Sequence, residues 1–494
     1  MSALTFDKSE LGNLEYSLQR EMLATDRKGG YMSTTIVCCN TRKYHGLMVA
    51  PINESDEAYV LLSSLDETII QHDQSFNLAL HRYRGVYEPR GHKYITDFKY
   101  TPTPTITYRV GGVVLRKELL WIHKRTQLMI RYTLVDAHSD TTLRLRPFFA
   151  FRNKHSLSKA NMEANGRSYP VAGGVKCKLY EGYPWLYLQT NKADAEFVAA
   201  PDWYYDFEYP EEIKRGYDGY EDLLTTGYFE MPIKKGETII FSAGVSEASS
   251  RKLKQMFEHE YEIRPPRDTF KNSLLIAGHQ FHNLQGDRHY ILAGYPWFKC
   301  RARDMFVSLP GLTLATGEMD EFQSAMKTAA EAINDFINER PSECKIYEME
   351  HPDVLLWAVW TLQQYAKKTS LKQCWDEYGT LLQDIIDYIR PEDMLVVNAS
   401  KVIPARLLGV KEAADPNGPQ VPVEILLLRR ENATDWEALV KPGRRLKPGA
   451  ICSFGNGLLK CEIMSSVPEI GGRIVRFMYD GVFEEILDQL GEMP

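Results

Sequence analysis

The stretch TITYRVGGVVLRKELLWI, residues 105–122, shows which fold to expect for the first half of the chain. Apolar and polar residues alternate along 105–110 and again from 113 onward, and the pair Gly111-Gly112 lies between the two runs. Alternation is typical of a strand that buries one face, and a glycine pair favours a tight turn. The stretch therefore predicts an antiparallel β-hairpin.

Short runs of the same kind recur through the first part of the chain, separated by Gly, Pro, Asn and Asp. They include TTIVCC, KYHGLMVA, AYVLLSSL, QLMIRYTLV and TTLRLRPFFAF. Many short strands joined by frequent turns are typical of a large antiparallel sheet assembly. We predict that residues 1–265 form a β-sandwich domain.

The apolar period changes at about residue 268 and again at about residue 389. Five stretches carry apolar residues every three or four positions, as helices do: FKNSLLIAGHQFHNLQ, CRARDMFVSLPGLTLA, DEFQSAMKTAAEAINDFINE, PDVLLWAVWTLQQYAKK and LKQCWDEYGTLLQDIIDYI. Strand-like runs return in VPVEILLLRR, DWEALVKPG and GGRIVRFMYDG. The fold class predicted is multidomain α+β, with a helical domain over 266–388 and a small β-barrel over 389–494.

Composition and charge argue against several classes of function. The 494 residues suffice for about three domains. Lys plus Arg number 59 and Asp plus Glu 66, a net charge of −7, which argues against electrostatic capture of nucleic acid.

The eight cysteines form no C-x-x-C pair, so we expect no metal site, no cofactor and no disulfide framework. The charged N-terminus and the lack of a long apolar run predict a cytoplasmic protein without a membrane partner.

Candidate chemistry is concentrated in GYPWFKCRARDMFVSLPGL, residues 294–312. Aromatic rings such as Tyr295 and Trp297 pack against the C–H faces of sugars, and a side chain such as Arg303 binds hydroxyl groups. Asp304, close to apolar rings, is a candidate general acid. The alternative is that Asp304 caps a helix and pairs with an adjacent arginine.

The order of these residues resembles the loop–helix element of glycogen debranching enzymes of the amylo-α-1,6-glucosidase type, in which W-G-R-D precedes an apolar helix. Here Arg-Asp is kept at Arg303-Asp304, while Trp-Gly is replaced. The resemblance implies that Asp304 is the general acid toward the glycosidic oxygen. The stretch PDVLLWAVWTLQQY is similar to the helix that follows in the family, which makes Asp353 and Trp357 substrate-binding candidates.

The resemblance extends over about residues 10–388, through GGYMSTTIVCCNTRKYHGLMVAP (29–51) and WYYDFEYPEEIKRGYDGYEDL (203–223). It implies hydrolysis of α-1,6 branches in glycogen or α-glucan oligosaccharides, and it adds Trp203 as a candidate contact. A polar group in the first of these stretches either contacts glucan or orders the sandwich as a buried cluster; its members are Asn40, Arg42, Tyr44 and His45.

The same resemblance implies an (α/α)6 helical domain that is only partly present. Twelve helices are expected from the family, and five are predicted here. Glycoside hydrolysis normally uses two carboxylates, and the family takes the second one from later helices. We therefore expect doubtful hydrolytic activity from this chain. A non-catalytic α-glucan-binding protein is an alternative.

From about residue 387 to 494 the chain resembles part of S-adenosylmethionine:tRNA ribosyltransferase-isomerase, an enzyme of queuosine biosynthesis. The family's L-N-D-T-K/R-V-I-P-A-R-L corresponds to VNASKVIPARL at 397–407. A fragment of this enzyme is the alternative function, with tRNA as its partner. The basic stretch KPGRRLKPG, residues 441–449, is either a solvated turn or a contact to RNA phosphates. The two partial sequences join near 387–391, as a natural gene fusion or as an artefact.

Overall fold

The structure, a computed structural model, has two compact units, Met1–Arg390 and Pro391–Pro494. It describes residues 4–52, 57–123, 125–389, 403–413, 420–468 and 471–492. In the described parts, the first unit contains two large antiparallel sheets followed by helices, and the second contains a closed sheet. The architecture is therefore mixed α+β.

The first sheet of unit one has nine strands, and the predicted hairpin lies within it. In order of pairing, the strands are β1 (Leu4–Asp7), β9 (Ile95–Tyr100), β10 (Pro104–Val110), β11 (Val113–Trp121), β12 (Gln127–Asp136), β19 (Thr238–Gly244), β16 (Leu186–Thr190), β15 (Gly174–Cys177) and β14 (Ser168–Val171). Val110 pairs with Val113 across the turn, where Gly111 and Gly112 have φ values of 56° and 80°. Glycine adopts this left-handed backbone conformation at little steric cost, so the turn forms where the sequence predicted it.

The second sheet has ten strands and carries the residues nearest to the candidate site. They pair in the order β2 (Glu21–Thr25), β3 (Tyr31–Thr35), β4 (Gly46–Pro51), β5 (Ala58–Gln71), β13 (Thr141–Asn153), β18 (Tyr220–Ile233), β17 (Glu196–Glu208), β7 (Leu80–Tyr83) and β8 (Val86–Arg90), and β6 (Gln74–Asn77) pairs with β5. Short helices accompany the two sheets: α1 (Lys8–Leu11), α2 (Leu14–Leu18), α3 (Pro210–Lys214) and α4 (Leu253–Glu262).

One buried apolar cluster is built from both sheets. Trp121 and Ile130 contribute from the first sheet, and Leu145 and Phe229 from the second. Removing such side chains from water stabilises the unit by about 25 cal/mol per Å² of apolar surface. The inward-facing residues alternate with outward-facing ones, which is why the sequence pattern had a period of two.

A buried ion pair also joins the sheets. Lys117 Nζ on β11 lies 2.7 Å from Glu67 Oε1 on β5, and the Tyr132 hydroxyl donates to the same oxygen at 2.6 Å. A buried charge is costly unless it is paired and hydrogen-bonded, so this contact favours one relative position of the two sheets.

The helical part of unit one contains five helices and a β-hairpin. They are α5 (Phe270–His279), β20 (His282–Gln285), β21 (Arg288–Ile291), α6 (Ala302–Leu309), α7 (Met319–Ile337), α8 (Val354–Lys368) and α9 (Leu371–Tyr388), with a π-turn, Pro310–Leu314, after α6. The hairpin corrects the helix predicted over FKNSLLIAGHQFHNLQ. That helix ends at His279, and Gly286, with φ of 58°, allows the tight turn that pairs the next residues as strands.

The second unit contains a closed ring of six strands. The strands are β22 (Arg406–Lys411), β23 (Val421–Arg430), β24 (Asp435–Lys441), β27 (Gly472–Met478), β26 (Leu459–Val467) and β25 (Ile451–Phe454). The ring closes because β22 pairs with both β23 and β25. A short strand, β28 (Gly491–Glu492), also pairs with β22, and α10 (Phe483–Leu490) packs its apolar face on the ring. Residues 390–391 of the predicted junction at 387–391 lie outside the described residues, as do residues 397–402 of VNASKVIPARL.

Candidate active site

Helix α6 places Asp304 on the surface. Ala302, Met305, Phe306 and Leu309, which recur on one face of the helix, are buried in the helical core. Asp304 lies on the other face, in the first turn, and is exposed. The apolar spacing of the sequence therefore determines that the candidate acid faces solvent.

The structure brings together three of the predicted site residues. The Arg303 guanidinium donates to Asp353 Oδ1 at 2.7 Å, and Trp357 Nε1 donates to the other carboxylate oxygen of Asp353 at 3.1 Å. The hydrogen bond from Arg303 holds the pKa of Asp353 below its usual range. Asp353 is also the N-cap residue of α8, so this chain of contacts links the start of α6 to the start of α8.

Asp304 does not pair with either neighbouring arginine. Arg303 pairs with Asp353, and Arg301 Nε lies 3.2 Å from Glu348 Oε1 while its guanidinium covers the Phe298 ring at 4.4 Å. Nor is Asp304 the capping residue of its helix, since Arg301 holds that position. In the described parts of the chain, no side chain pairs with the Asp304 carboxylate. We call the surface formed by Phe298, Arg301, Arg303, Asp304, Asp353 and Trp357 the Asp304 face.

The aromatic loop before α6 is attached to the second sheet. The Tyr295 ring packs edge-on against Tyr31 of β3 with centroids 5.5 Å apart, and burial raises its pKa well above the usual value. The Trp297 ring lies 6.4 Å from that of Tyr44. The loop therefore directs Tyr295 and Trp297 toward the sheet, whereas Phe298 is 44% exposed on the Asp304 face.

A buried lysine helps to fix this loop. Lys154 lies just after β13 and is 6% exposed, and its Nζ donates to the Pro296 carbonyl at 2.7 Å. Within the loop, the Phe298 amide donates to the Gly294 carbonyl at 2.8 Å. The position of the exposed Phe298 thus depends on a charged contact made inside the unit.

A small cavity of about 40 Å³ opens beside the loop, between the second sheet and the helical part. Its lining is aromatic and basic, and includes Tyr295, Phe298, Tyr347, Lys154 and Lys299. Tyr347 is joined to the start of α6, since Ala302 N donates to its carbonyl at 2.9 Å.

The remaining predicted residues lie on the second sheet or in the loop between its strands β3 and β4. Trp203, on β17, packs against the cluster shared by the two sheets. Arg42 Nε donates to Glu21 Oε1 at 2.7 Å, and His45 Nε2 lies 3.6 Å from the other oxygen of Glu21. Burial raises the pKa of Glu21, but His45 and Arg42 outweigh this effect and lower it to about 2. Asn40 accepts a hydrogen bond from Thr34 at 2.8 Å.

A second cluster was not predicted from the sequence. His282 and His289, both fully buried, lie next to Glu321 of α7, with His282 Nδ1 2.8 Å from His289 Nε2. Burial lowers the pKa of both imidazoles, that of His282 to about 3. The local signal was present, because the histidines flank the Gly286 turn on opposed strands. Glu321, more than thirty residues away, could not be assigned to them without the fold.

Comparison with known families divides the chain into two parts. Residues 20–240 match the family described as glycogen debranching enzyme N terminal, and residues 274–402 match amylo-alpha-1,6-glucosidase. Residues 372–494 match the family described as queuosine biosynthesis protein. Most of the chain is thus similar to glycogen debranching enzymes, and its C-terminal part to a queuosine protein. The last two matches overlap over 372–402, which fits a fusion of two partial sequences.

Several curated relatives match the C-terminal part of the chain. S-adenosylmethionine:tRNA ribosyltransferase-isomerase of Thermoanaerobacter sp. (strain X514) is 54% identical over 114 residues, which are 23% of this chain and 32% of that protein. The protein of the same name from Clostridium kluyveri is 52% identical over 114 residues, with the same two shares. The chain spans about a third of the length of these relatives.

Two solved structures are also similar. S-adenosylmethionine tRNA ribosyltransferase from Thermotoga maritima is 33% identical, with a TM-score of 0.14, over 22% of this chain and 34% of that one. A bacterial glucoamylase complexed with acarbose is 12% identical, with a TM-score of 0.41, over 76% of this chain and 59% of that one.

No helix among the described residues is both long and apolar enough to cross a membrane.

Proposed function

We propose that unit Met1–Arg390 binds α-glucan, as glycogen or its oligosaccharides, on the Asp304 face, and that Asp304 donates a proton to the oxygen of an α-1,6-glucosidic bond. The observation that carries this proposal is the exposed Asp304 carboxylate without a pairing partner among the described residues, on the same face as the exposed Phe298 ring. The debranching-enzyme matches over 20–240 and 274–402 support it.

Each neighbouring residue has a role in this proposal. Phe298 and Trp357 offer ring surface to sugar C–H groups, while Arg303 donates to hydroxyl oxygens and Asp353 accepts from hydroxyl groups. Tyr295 and Trp297 hold the loop in place, and Tyr295 also lines the cavity. Trp203 contributes a further contact to glucan. It belongs to the β-sandwich domain, residues 1–265, which is followed by the helical domain of (α/α)6 type, residues 266–388.

Hydrolysis by this chain is slow in the proposal, because Asp353 and Glu348, two carboxylates that pair with residues of the Asp304 face, are not free to act as a base. An acid and a base or nucleophile must flank the scissile bond, about 5–9.5 Å apart. Asp353 is held by Arg303, and Glu348 by Arg301. Both would have to leave an arginine before acting as a base. The binding function does not require that step.

Glucose release from a branched limit dextrin tests the catalytic part. We expect slow release by the full chain, lost in Asp304→Asn and retained in Asp320→Asn. Asp320 is a matched control because it is also an exposed aspartate in the first turn of a helix, α7. Release that is equal in wild type and Asp304→Asn, or no release at all, refutes Asp304 as the proton donor.

The second candidate function belongs to residues 389–494, the part of the chain that contains the closed ring. The 54% identity to a ribosyltransferase-isomerase over 114 residues favours a fragment of that enzyme. Its basic turn, with Arg444 and Lys447 exposed, is open to RNA phosphates as well as to water. Transfer of a labelled ribosyl group from S-adenosylmethionine to tRNA is the test, and we expect none, because the match covers about a third of the enzyme.

A further inference from the structure

We propose that His282, His289 and Glu321 form a binding site for a divalent transition-metal ion such as Zn²⁺, separate from the Asp304 face. One potential ligand atom from each residue lies within 4.8 Å of the other two. Two imidazoles and one carboxylate are a donor set that zinc and related ions accept. The expectation of no metal site, drawn from the cysteine pattern, is thereby revised.

The hairpin sets the two imidazoles on one side. His282 is opposed to Ile291, and His289 to Leu284, across β20 and β21. Because directly opposed residues of an antiparallel pair project from the same face, His282 and His289 are diagonal neighbours on that face. Both side chains are fully buried, so they are held in place rather than free in solvent.

Helix α7 supplies the carboxylate and holds the hairpin. The His289 amide donates to Thr328 Oγ1 at 2.8 Å, and Glu321 lies two turns earlier on the same helix. Arg27 Nη2 donates to Glu321 Oε1 at 3.0 Å. This contact leaves Oε2 facing the histidines, 3.3 Å from His289 Nδ1 and 3.9 Å from His282 Nδ1.

These separations suit a metal ion. Two ligand atoms bound at about 2.0–2.1 Å in a tetrahedral arrangement lie about 3.3 Å apart. The spacing between His289 Nδ1 and Glu321 Oε2 is 3.3 Å, and that between His282 Nδ1 and the same oxygen is 3.9 Å, so one equals that value and the other is slightly longer. Glu321 is about one third exposed, so water can occupy an open coordination position on that side.

An independent observation indicates a missing partner. His282 Nε2 and His289 Nδ1 are buried nitrogen atoms with no hydrogen-bond partner among the described residues. Buried polar atoms in proteins are nearly always satisfied, and an orphaned one calls for a bound water or ion. For His289, that nitrogen is also the one closest to Glu321 Oε2, so a metal between them would satisfy it.

The test is a metal titration of the full chain after treatment with a chelator. We expect one Zn²⁺ per chain by calorimetry and one Co²⁺ with visible d–d bands but without a thiolate charge-transfer band, which separates this site from the cysteines. His289→Gln and Glu321→Gln should each bind at least about tenfold more weakly. His279→Gln is the control, since its ring lies 6.1 Å from that of His282 and pairs with Glu318.

Circular dichroism shows whether each variant is folded. Glu321→Gln keeps the shape of a partly exposed side chain, so it remains informative if His289→Gln does not fold. Failure of the wild type to bind either ion overturns the proposal. So does unchanged affinity in Glu321→Gln, or an equal loss in His279→Gln. None of these results depends on glucan binding or hydrolysis.

Discussion

Replacing Lys154 by Met should release the aromatic loop that carries Phe298. The substitution keeps the length of a buried side chain and removes the charged donor to the Pro296 carbonyl, a contact of 2.7 Å. A hydrogen bond to a charged group contributes about 1.5–3 kcal/mol. At 1.4 kcal/mol for each factor of ten, loop opening should become roughly 10- to 150-fold more frequent.

Hydrogen exchange measured by mass spectrometry on peptides covering 294–300 is the assay, because the Phe298 amide is protected by the Gly294 carbonyl. Lys159→Met is the matched control, since Lys159 also donates to a backbone carbonyl at 2.7 Å, that of Tyr220, but is exposed. The reasoning is refuted if exchange in the loop is unchanged in Lys154→Met, or if Lys159→Met accelerates it equally.

Three further predictions concern stability. Burial raises the pKa of Asp26 to about 6, above its unfolded value of about 3.9. The stability that this carboxyl group contributes below pH 4 should therefore be lost as the pH rises to about 6. Urea titrations at several pH values should show a flatter pH dependence for Asp26→Asn. Phe322 stacks on Tyr365 with centroids 4.9 Å apart, and Phe322→Ala should cost about 3–5 kcal/mol in urea unfolding. Ile425 is fully buried in the closed ring, and calorimetry of Ile425→Ala should show a loss of about 2–5 kcal/mol in the transition of the second unit, with the other transition unchanged.

Features set by neighbouring residues were predictable from the sequence. The alternation around Gly111-Gly112 predicted the hairpin β10–β11, because both the period of two and the turn are local properties. The apolar spacing of α6 in the same way determined that Asp304 is exposed. The helix predicted through His282 was wrong. The apolar spacing there is also compatible with a helix, but the turn at Gly286 favours strand pairing.

Contacts between distant segments were not predictable. Arg303 had several carboxylates within reach along the sequence, and only the packing of α6 against α8 selects Asp353. Tyr295 and Trp297 were predicted to contact sugar from their loop composition, and the structure places the Tyr295 ring against Tyr31 of β3 and the Trp297 ring near Tyr44 of the β3–β4 loop. These contacts follow from tertiary packing, which a single sequence does not specify by its pattern.

Calorimetric titration of the full chain with a branched maltooligosaccharide tests the central claim, glucan binding on the Asp304 face, most directly. We expect saturable binding that is weakened in Phe298→Ala and Arg303→Ala but unchanged in Trp375→Ala, a control because Trp375 is 58% exposed on α9. Absence of saturable binding up to millimolar ligand would contradict the account. An equal loss of affinity in Trp375→Ala would contradict it as well.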